Sequence, residues 1–412
     1  MLFLPHLNLL RFMVAVAETG SSQKAAALLH VAQSSVARAV AKLEKALSTP
    51  LFERTGRGMR PTPQGQQLAL RATRALQLLA QADRHRYRRT PPGDWHTSPL
   101  ARGAGPRHVL ALQAIAELGS ENQASERLGI SQSAVHQSLA QLEHMAGAAL
   151  FIRSRSGLKL DDTGEDTLQA VRLALAELRQ AGEEWHTDRG ALQGYLVVGT
   201  LPFSTGMLLP PAVEHLLASE PAVRLVIVDG TFDALVQQLR RAELDFIVGA
   251  LRGNPPSADI TQEVLFDDRL AVIARAGHPL AQKRGRRRPL AWPDLYHASW
   301  VLPMPDTPAE AALAQALHAA GMPFPADQLR SNSALMMQAM LASSDRLALM
   351  SPRQVAREIQ AGLLVELPLQ ARYFNRRIGV MQRGNYLPTP AAALLQEAFR
   401  QAADTLHAGI PQ

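Results

Sequence analysis

Between Gln33 and Arg38 the segment QSSVAR brings together a carboxamide, two hydroxyls and a guanidinium. These groups read base edges, since Gln bridges adenine, Arg bridges guanine and Ser adapts to either. Gln33, Ser34, Ser35 and Arg38 are expected to face the major groove, since at helical spacing positions 34, 35 and 38 share one face while Val36, Val40 and Leu43 share the buried one. Lys42, Arg54, Arg57 and Arg60 follow, and cations of this kind suit phosphates, which fix position without reading sequence. Other chemistry is missing: there is no GxSxG elbow, HExxH pair, Walker loop or dinucleotide fingerprint. The 13 histidines show no ligand spacing, and a chain without cysteine has neither thiolate metal sites nor disulfides. The expectation is no enzyme, no metal and no cofactor.

The elements that position these groups are written twice. Residues 8–65 lie over 107–164 at a constant offset of 99, without a gap, and with 18 identities in 58 positions. The identities include Gly20/Gly119, Leu29/Leu128, Gln33/Gln132, Ser34/Ser133, Leu43/Leu142, Glu44/Glu143, Arg54/Arg153 and Gly58/Gly157. Each copy reads as three short helices, the last two separated by a tight turn, followed by a glycine-bearing hairpin. In the second copy Gln132, Ser133, Arg153 and Arg155 occupy the candidate DNA face, but its third helix has no Lys or Arg: Gln137 stands for Arg38 and Gln141 for Lys42. Gly129 suits its turn better than His30 does in the first copy, and Ser131 offers a cap where Ala32 has none.

Charge follows the same division. Residues 1–105 hold 15 Lys and Arg against 5 Asp and Glu, residues 106–192 hold 8 against 12, and the remainder is nearly balanced at 20 against 19. The basic excess therefore sits on the first copy and points to a polyanion partner, double-stranded DNA.

The runs from Ala25 to Glu44 and from Leu51 to Gly65 resemble the N-terminal unit of the LysR-type transcriptional regulators, over about sixty residues; the second copy departs at Ser125, Glu126 and Asp161. Each copy precedes a longer helix with an apolar stripe, Leu68, Ala72, Ala75 and Leu79 in one and Leu168, Val171, Leu175 and Leu178 in the other. Periodicity alone also permits packing on the own domain. The resemblance implies pairing through these helices, either between chains in a homo-oligomer or between the two copies of one chain.

From Gly194 the pattern becomes βα alternation, which predicts a parallel sheet with helices on its faces. This half resembles the family's effector domain, a two-lobed fold shared with periplasmic solute-binding proteins. Candidate effector residues lie where strand ends meet helix starts: Thr200, Ser204, Thr205, Thr231, Asn332 and Ser333. Helix capping is the plainer role for each. A likeness of the crossover stretch to the galactose-binding-protein regulator subgroup suggests a sugar-derived or organic-acid effector. The run Lys283–Arg288 reads as a solvated loop, and Trp292 and Trp300 as core.

The expected architecture is multidomain: two all-α winged helix-turn-helix units followed by an α/β two-lobed, periplasmic-binding-protein-like effector domain of type 2. The units span 1–65 and 106–164, their linker helices 66–85 and 165–190, and a flexible linker 86–105; lobe I takes 193–268 and 385–412 and lobe II 269–384. The expected protein is a cytoplasmic bacterial, sequence-specific DNA-binding transcription regulator without membrane segments, controlled by a small molecule between the lobes. The alternative is a ligand-binding module that acts through protein contacts without specific operator binding.

Overall fold

The two copies of the repeat fold alike because their shared residues make the same contacts. In the computed structural model, which describes residues 2–56, 58–85, 94–155, 157–187, 192–201, 206–282, 290–326, 329–369 and 374–408, the chain divides into two compact units, 1–191 and 192–412. In the first copy α1 (Leu7–Thr19), α2 (Ser22–Leu29) and α3 (Gln33–Leu47) lead to the hairpin β1 (Phe52–Thr55) and β2 (Gly58–Pro61), then to α4 (Pro63–Gln81). After α5 (Pro99–Gly103) the order recurs as α6 (Pro106–Leu118), α7 (Glu121–Leu128), α8 (Gln132–Ala146), β3 (Phe151–Ser154), β4 (Gly157–Leu160) and α9 (Asp162–Thr187).

Glu44 Oε1 accepts from Leu51 N at 2.8 Å and Phe52 N at 3.2 Å, and Glu143 Oε1 accepts from Leu150 N at 2.9 Å, so each carboxylate anchors the entry to its hairpin. Each hairpin is tied back by one backbone bond of 2.8 Å, Met59 N to Gly20 O and Leu158 N to Gly119 O. Gly58 (φ +134°) and Gly157 (φ +110°) permit this approach: a Cβ there would strike the Gly20 or Gly119 carbonyl oxygen. The turn after α2 holds His30 at φ +54° where the second copy has Gly129 at φ +67°, and Ser131 Oγ accepts from Ala134 N at 3.2 Å where Ala32 gives no cap.

One apolar core joins the first copy to both long helices, and Leu68, Ala72, Ala75 and Leu79 pack in it together with Leu168, Val171, Leu175 and Leu178. α4 and α9 of the same chain thus lie side by side. The second copy has a smaller core of its own around Ile115, Val135 and Leu139.

The connector differs from the expected flexible linker over its described part, 94–105. Trp95 is 2% exposed and its Nε1 donates to Glu18 at 3.3 Å, Ser98 Oγ donates to Asp83, and Arg102 donates to the Leu29 carbonyl at 2.9 Å. A single buried aromatic and a short capped helix fasten a segment whose Pro, Gly and Arg content suggests a tether.

In the second unit a sheet runs β6-β5-β7-β12-β8-β10-β9, with β11 also on β8. Its strands are β5 (Gly194–Thr200), β6 (Val223–Asp229), β7 (Phe246–Ala250), β8 (Ile260–Arg275), β9 (Ser299–Trp300), β10 (Arg346–Met350), β11 (Leu364–Glu366) and β12 (Phe374–Arg383). β5 pairs in parallel with β6 and β7, as the βα alternation requires. α10 (Leu209–Ser219) and α15 (Pro390–Ala408) cover one face of lobe I and α11 (Phe232–Arg240) the other. α12 (Pro308–Ala319) and α13 (Ala334–Ser343) pack in the two cores of lobe II, and α14 (Ala356–Gln360) leads into β11. The antiparallel strands β8 and β12 serve both lobes, so the chain returns to lobe I within β12, pairing with β7 from Ile378, ahead of the expected residue 385. Trp292 and Trp300 stack in the lobe II core at 6.5 Å; the cationic run 283–288 lies outside the described residues. No helix among the described residues is long and apolar enough to cross a membrane.

Candidate nucleic-acid interface and ligand cavity

α3 presents the expected polar face. Val36, Ala39, Val40, Leu43 and Leu47 are buried, while Gln33, Ser34, Arg38 and Lys42 are exposed and Ser35 is half-buried. Gln33 Nε2 donates to Ser22 Oγ at 3.2 Å, fixing the start of α3 to that of α2, and Arg38 Nε donates to the Ser34 carbonyl at 3.2 Å. On the hairpin Arg54 and Arg60 are exposed; Arg57 lies outside the described residues. His6, near the face, is held below its ordinary pKa by burial and by the charge of Lys42.

The second copy repeats this surface with other groups. Gln132, Ser133, Arg153 and Arg155 are exposed, and Gln137 is exposed in the place of Arg38. His136 Nδ1 lies 3.2 Å from Glu121 Oε1, and Gln141 Oε1 accepts from Arg107 at 2.7 Å. The described side chains of this face therefore mix cations with acids and amides.

In the second unit a cavity of ≈ 270 Å³ opens between the lobes, walled by Leu201, Phe232, Met304 and Pro308 and reached by Thr231, Asn332, Arg252 and Arg376. Thr231 and Asn332 also line an adjoining cavity with Ser333. Thr231 Oγ1 accepts from Ala234 N at 3.4 Å and Ser333 Oγ accepts from Met336 N at 3.2 Å, so both cap helices whose starts face this space. Thr200 is fully buried at the end of β5 and does not line either cavity; Ser204 and Thr205 lie outside the described residues. His278 is a structural capping residue, accepting from Leu280 N at 3.0 Å.

The cavity's arginines are absent from the expected set. Arg376 is buried in an ion pair with Asp268 at 2.9 Å, and Asp268 also accepts from Ser351 Oγ at 2.7 Å. The Arg252 guanidinium stacks 3.8 Å above the Phe232 ring. They come from the β12 strand and from just beyond β7, and nothing in their local sequence marks them as cavity residues.

The profile of the LysR substrate binding domain matches residues 189–404, and that of the bacterial regulatory helix-turn-helix protein, lysR family, matches 7–66 and again 106–165. The HTH-type transcriptional regulator GalR of Pseudomonas putida is 35% identical over 405 residues, 97% of either chain. The HTH-type transcriptional regulator PcaQ of Agrobacterium fabrum is 27% identical over 303 residues, 74% of this chain and 96% of its own. A full-length OxyR variant from Pseudomonas aeruginosa shares the fold at a TM-score of 0.54 and 22% identity, covering 71% of this chain and 94% of its own. Full-length LysG from Corynebacterium glutamicum, with bound effector Arg, gives 0.53 at 22%, covering 73% and 99%. With its outward polar recognition helix, winged hairpin and two-lobed second unit, the chain belongs to the LysR family and is a sequence-specific DNA-binding transcription regulator.

Proposed function

We propose that this regulator carries a tandem pair of winged helix-turn-helix units, grips its operator chiefly through the first, and is controlled by a small organic acid held between the lobes of its second unit. The observation that carries the ranking is the exposed Arg38 and Lys42 on α3, set against Gln137 and Gln141 on α8. The alignment with GalR of P. putida supports the tandem arrangement, because it extends over both copies. In this reading Gln33, Ser34, Ser35 and Arg38 face the major groove while Lys42, Arg54, Arg57 and Arg60 hold phosphates. Gln132, Ser133, Arg153 and Arg155 add weaker contacts from the second unit. An apolar cavity with Arg252 at its side, the helix N-terminus capped by Thr231 at its wall and Asn332 just ahead of the one capped by Ser333 fits a carboxylate with a hydrophobic body better than a polyhydroxylated sugar.

Gel-shift titration over a salt series tests the DNA assignment. Arg38→Ala is expected to cost about 1–3 kcal/mol and relax preference at one base position. Arg54→Ala weakens all sequences alike and lowers the salt slope by about one. Gln137→Ala has the smaller effect; equal losses from Arg38→Ala and Gln137→Ala would reverse the ranking. Calorimetry against a panel of organic acids and sugars tests the effector: binding of a sugar that survives Arg252→Gln would overturn the carboxylate assignment.

A further inference from the structure

We infer that the α4–α9 pairing is coded to join unlike helices, so that one chain closes a complete two-headed DNA-binding module by itself. The pairing of α4 with α9 is independent of the DNA reading above; only the consequence for the operator rests on it.

The code is a buried polar cluster in an otherwise apolar seam. Arg71 on α4 is 1% exposed. Its Nη1 donates to Glu177 Oε2 at 2.9 Å and Gln180 Oε1 at 3.0 Å, its Nε donates to Glu184 Oε1 at 3.1 Å, and Nη2 also binds Glu184. Arg74, almost one turn along α4, binds Glu177 Oε1 at 2.9 Å. The repeat offset identifies what like helices would offer instead. In α9 the places of Arg71 and Arg74 are taken by Ala170 and Leu173; in the first copy the places of Glu177 and Glu184 are taken by Leu78 on α4 and by His85 beyond the end of that helix. A pair of α4 helices in this geometry buries two guanidinia with no carboxylate, and a pair of α9 helices buries carboxylates with no cation. Either leaves unpaired charge in a dry seam. α4 with α9 neutralises both.

The connector favours closure within one chain. It leaves the end of α4 through the Asp83–Ser98 bond, seats Trp95 against Glu18 of the first copy, and lays α5 between α4 and α8. At the far end of the seam Phe3 meets Trp185 edge-on at 5.6 Å, tying the start of the chain to the end of α9. Every module then holds one basic and one near-neutral head in fixed pairing. Its site is two unlike half-sites rather than a palindrome, whatever the second units do.

The cysteine-free chain allows a direct test at full length. In R74C/E177C, treated with a short bis-maleimide, the bridge forms within the chain and the denatured product runs as a 44.8 kDa monomer. R74C alone, and an equimolar mixture of R74C with E177C chains, give no cross-linked dimer. Dimers from R74C alone would show α4–α4 pairing, and dimers from the mixture would show exchange between chains; either overturns the inference. A complementation test guards against cysteine variants that fold poorly. R71E and E184R each lose operator affinity by on the order of tenfold or more, and mixing them restores none of it. Recovery on mixing requires pairing across chains and overturns the inference, and the cross-linking result holds even if the operator assignment is wrong.

Discussion

Replacing Arg71 by Met keeps the stem of the side chain in the seam and removes its charge. Glu177 keeps Arg74 at 2.9 Å, but among the bonds named above Glu184 is bound only by Arg71, and it is buried. Burial alone would lower the pKa of Arg71, yet the hydrogen bonds and charges of Glu184 and Glu177 raise it above the ordinary arginine value, so the group under test is a cation at every accessible pH. Breaking a buried ion pair from one side costs about 3–5 kcal/mol. With Glu177 still held, Arg71→Met belongs near the lower end, about 3 kcal/mol. The triple replacement Arg71→Met, Glu177→Leu, Glu184→Leu removes the stranded carboxylates and is expected to recover most of that loss, since apolar substitutes for buried ion networks are often neutral or stabilising. The same triple erases the preference for unlike helices, so it gains stability while admitting cross-linked dimers. Urea unfolding followed by tryptophan emission in a Trp292→Phe, Trp300→Phe background reads the first unit by itself, because Trp95 and Trp185 lie in its core while Trp292 and Trp300 lie in the second. A loss of less than about 1 kcal/mol on Arg71→Met, the size of an exposed pair, would refute the reasoning. So would a triple variant no more stable than the single one.

Three further outcomes follow from particular contacts. Ser131→Ala removes the α8 cap and should cost about 1 kcal/mol, whereas Ala32→Ser should stabilise α3 by a similar amount, both read from thermal melts. His108 accepts the Gly105 N–H at 2.9 Å as a neutral ring, and burial first, then the charge of Arg107, holds its pKa below the ordinary histidine value despite the opposing Gln141 bond. Between that lowered pKa and about 6.5 the unfolded chain binds the proton and the folded one does not, so stability falls as pH drops through this window. His108→Gln should flatten that slope relative to the parent chain, in which His6 contributes with the same sign. Gly58→Ala drives a Cβ into the Gly20 carbonyl at a positive φ, and should weaken operator binding through a displaced wing by more than it lowers the melting temperature; a fully stable variant with unaltered binding would contradict it.

Much of the first unit is legible because helical periodicity and a repeat constrain each other. The apolar stripes of α4 and α9 can be read at single-residue resolution, yet a stripe announces only that a face is covered and not by what. Nothing local marks Arg71, Glu177 and Glu184, because charged residues in helices are exposed by default and the burial of these three depends on partners more than a hundred positions away. Trp95 is masked by its surroundings: a Pro, Gly and Arg-rich segment has the composition of a tether even when one aromatic pins it. In the second unit Thr231 and Asn332 are visible because helix starts are written locally. Arg252 and Arg376 are not, since the cavity is assembled from the edges of strands far apart in the chain.

The pattern of divergence between the copies argues for division of labour over decay. Identical residues concentrate where both copies make the same internal contact, as at Glu44/Glu143, Gly20/Gly119 and Gly58/Gly157. In its turn and cap, with Gly129 and Ser131, the second copy is the better built of the two. Its changes of charge fall on two surfaces: the outward face, where Arg38 and Lys42 become Gln137 and Gln141, and the seam, where Arg71 gives way to Ala170 and Leu78 to Glu177. A decaying domain loses caps and core first, because nothing maintains them. Here the turn and the cap are kept around a smaller core, while the charges of both surfaces are redistributed in complementary fashion, one making the heads unlike and the other making unlike helices pair. The two changes have use only together, since heads that differ specify an asymmetric site only if each basic head is always joined to its near-neutral counterpart.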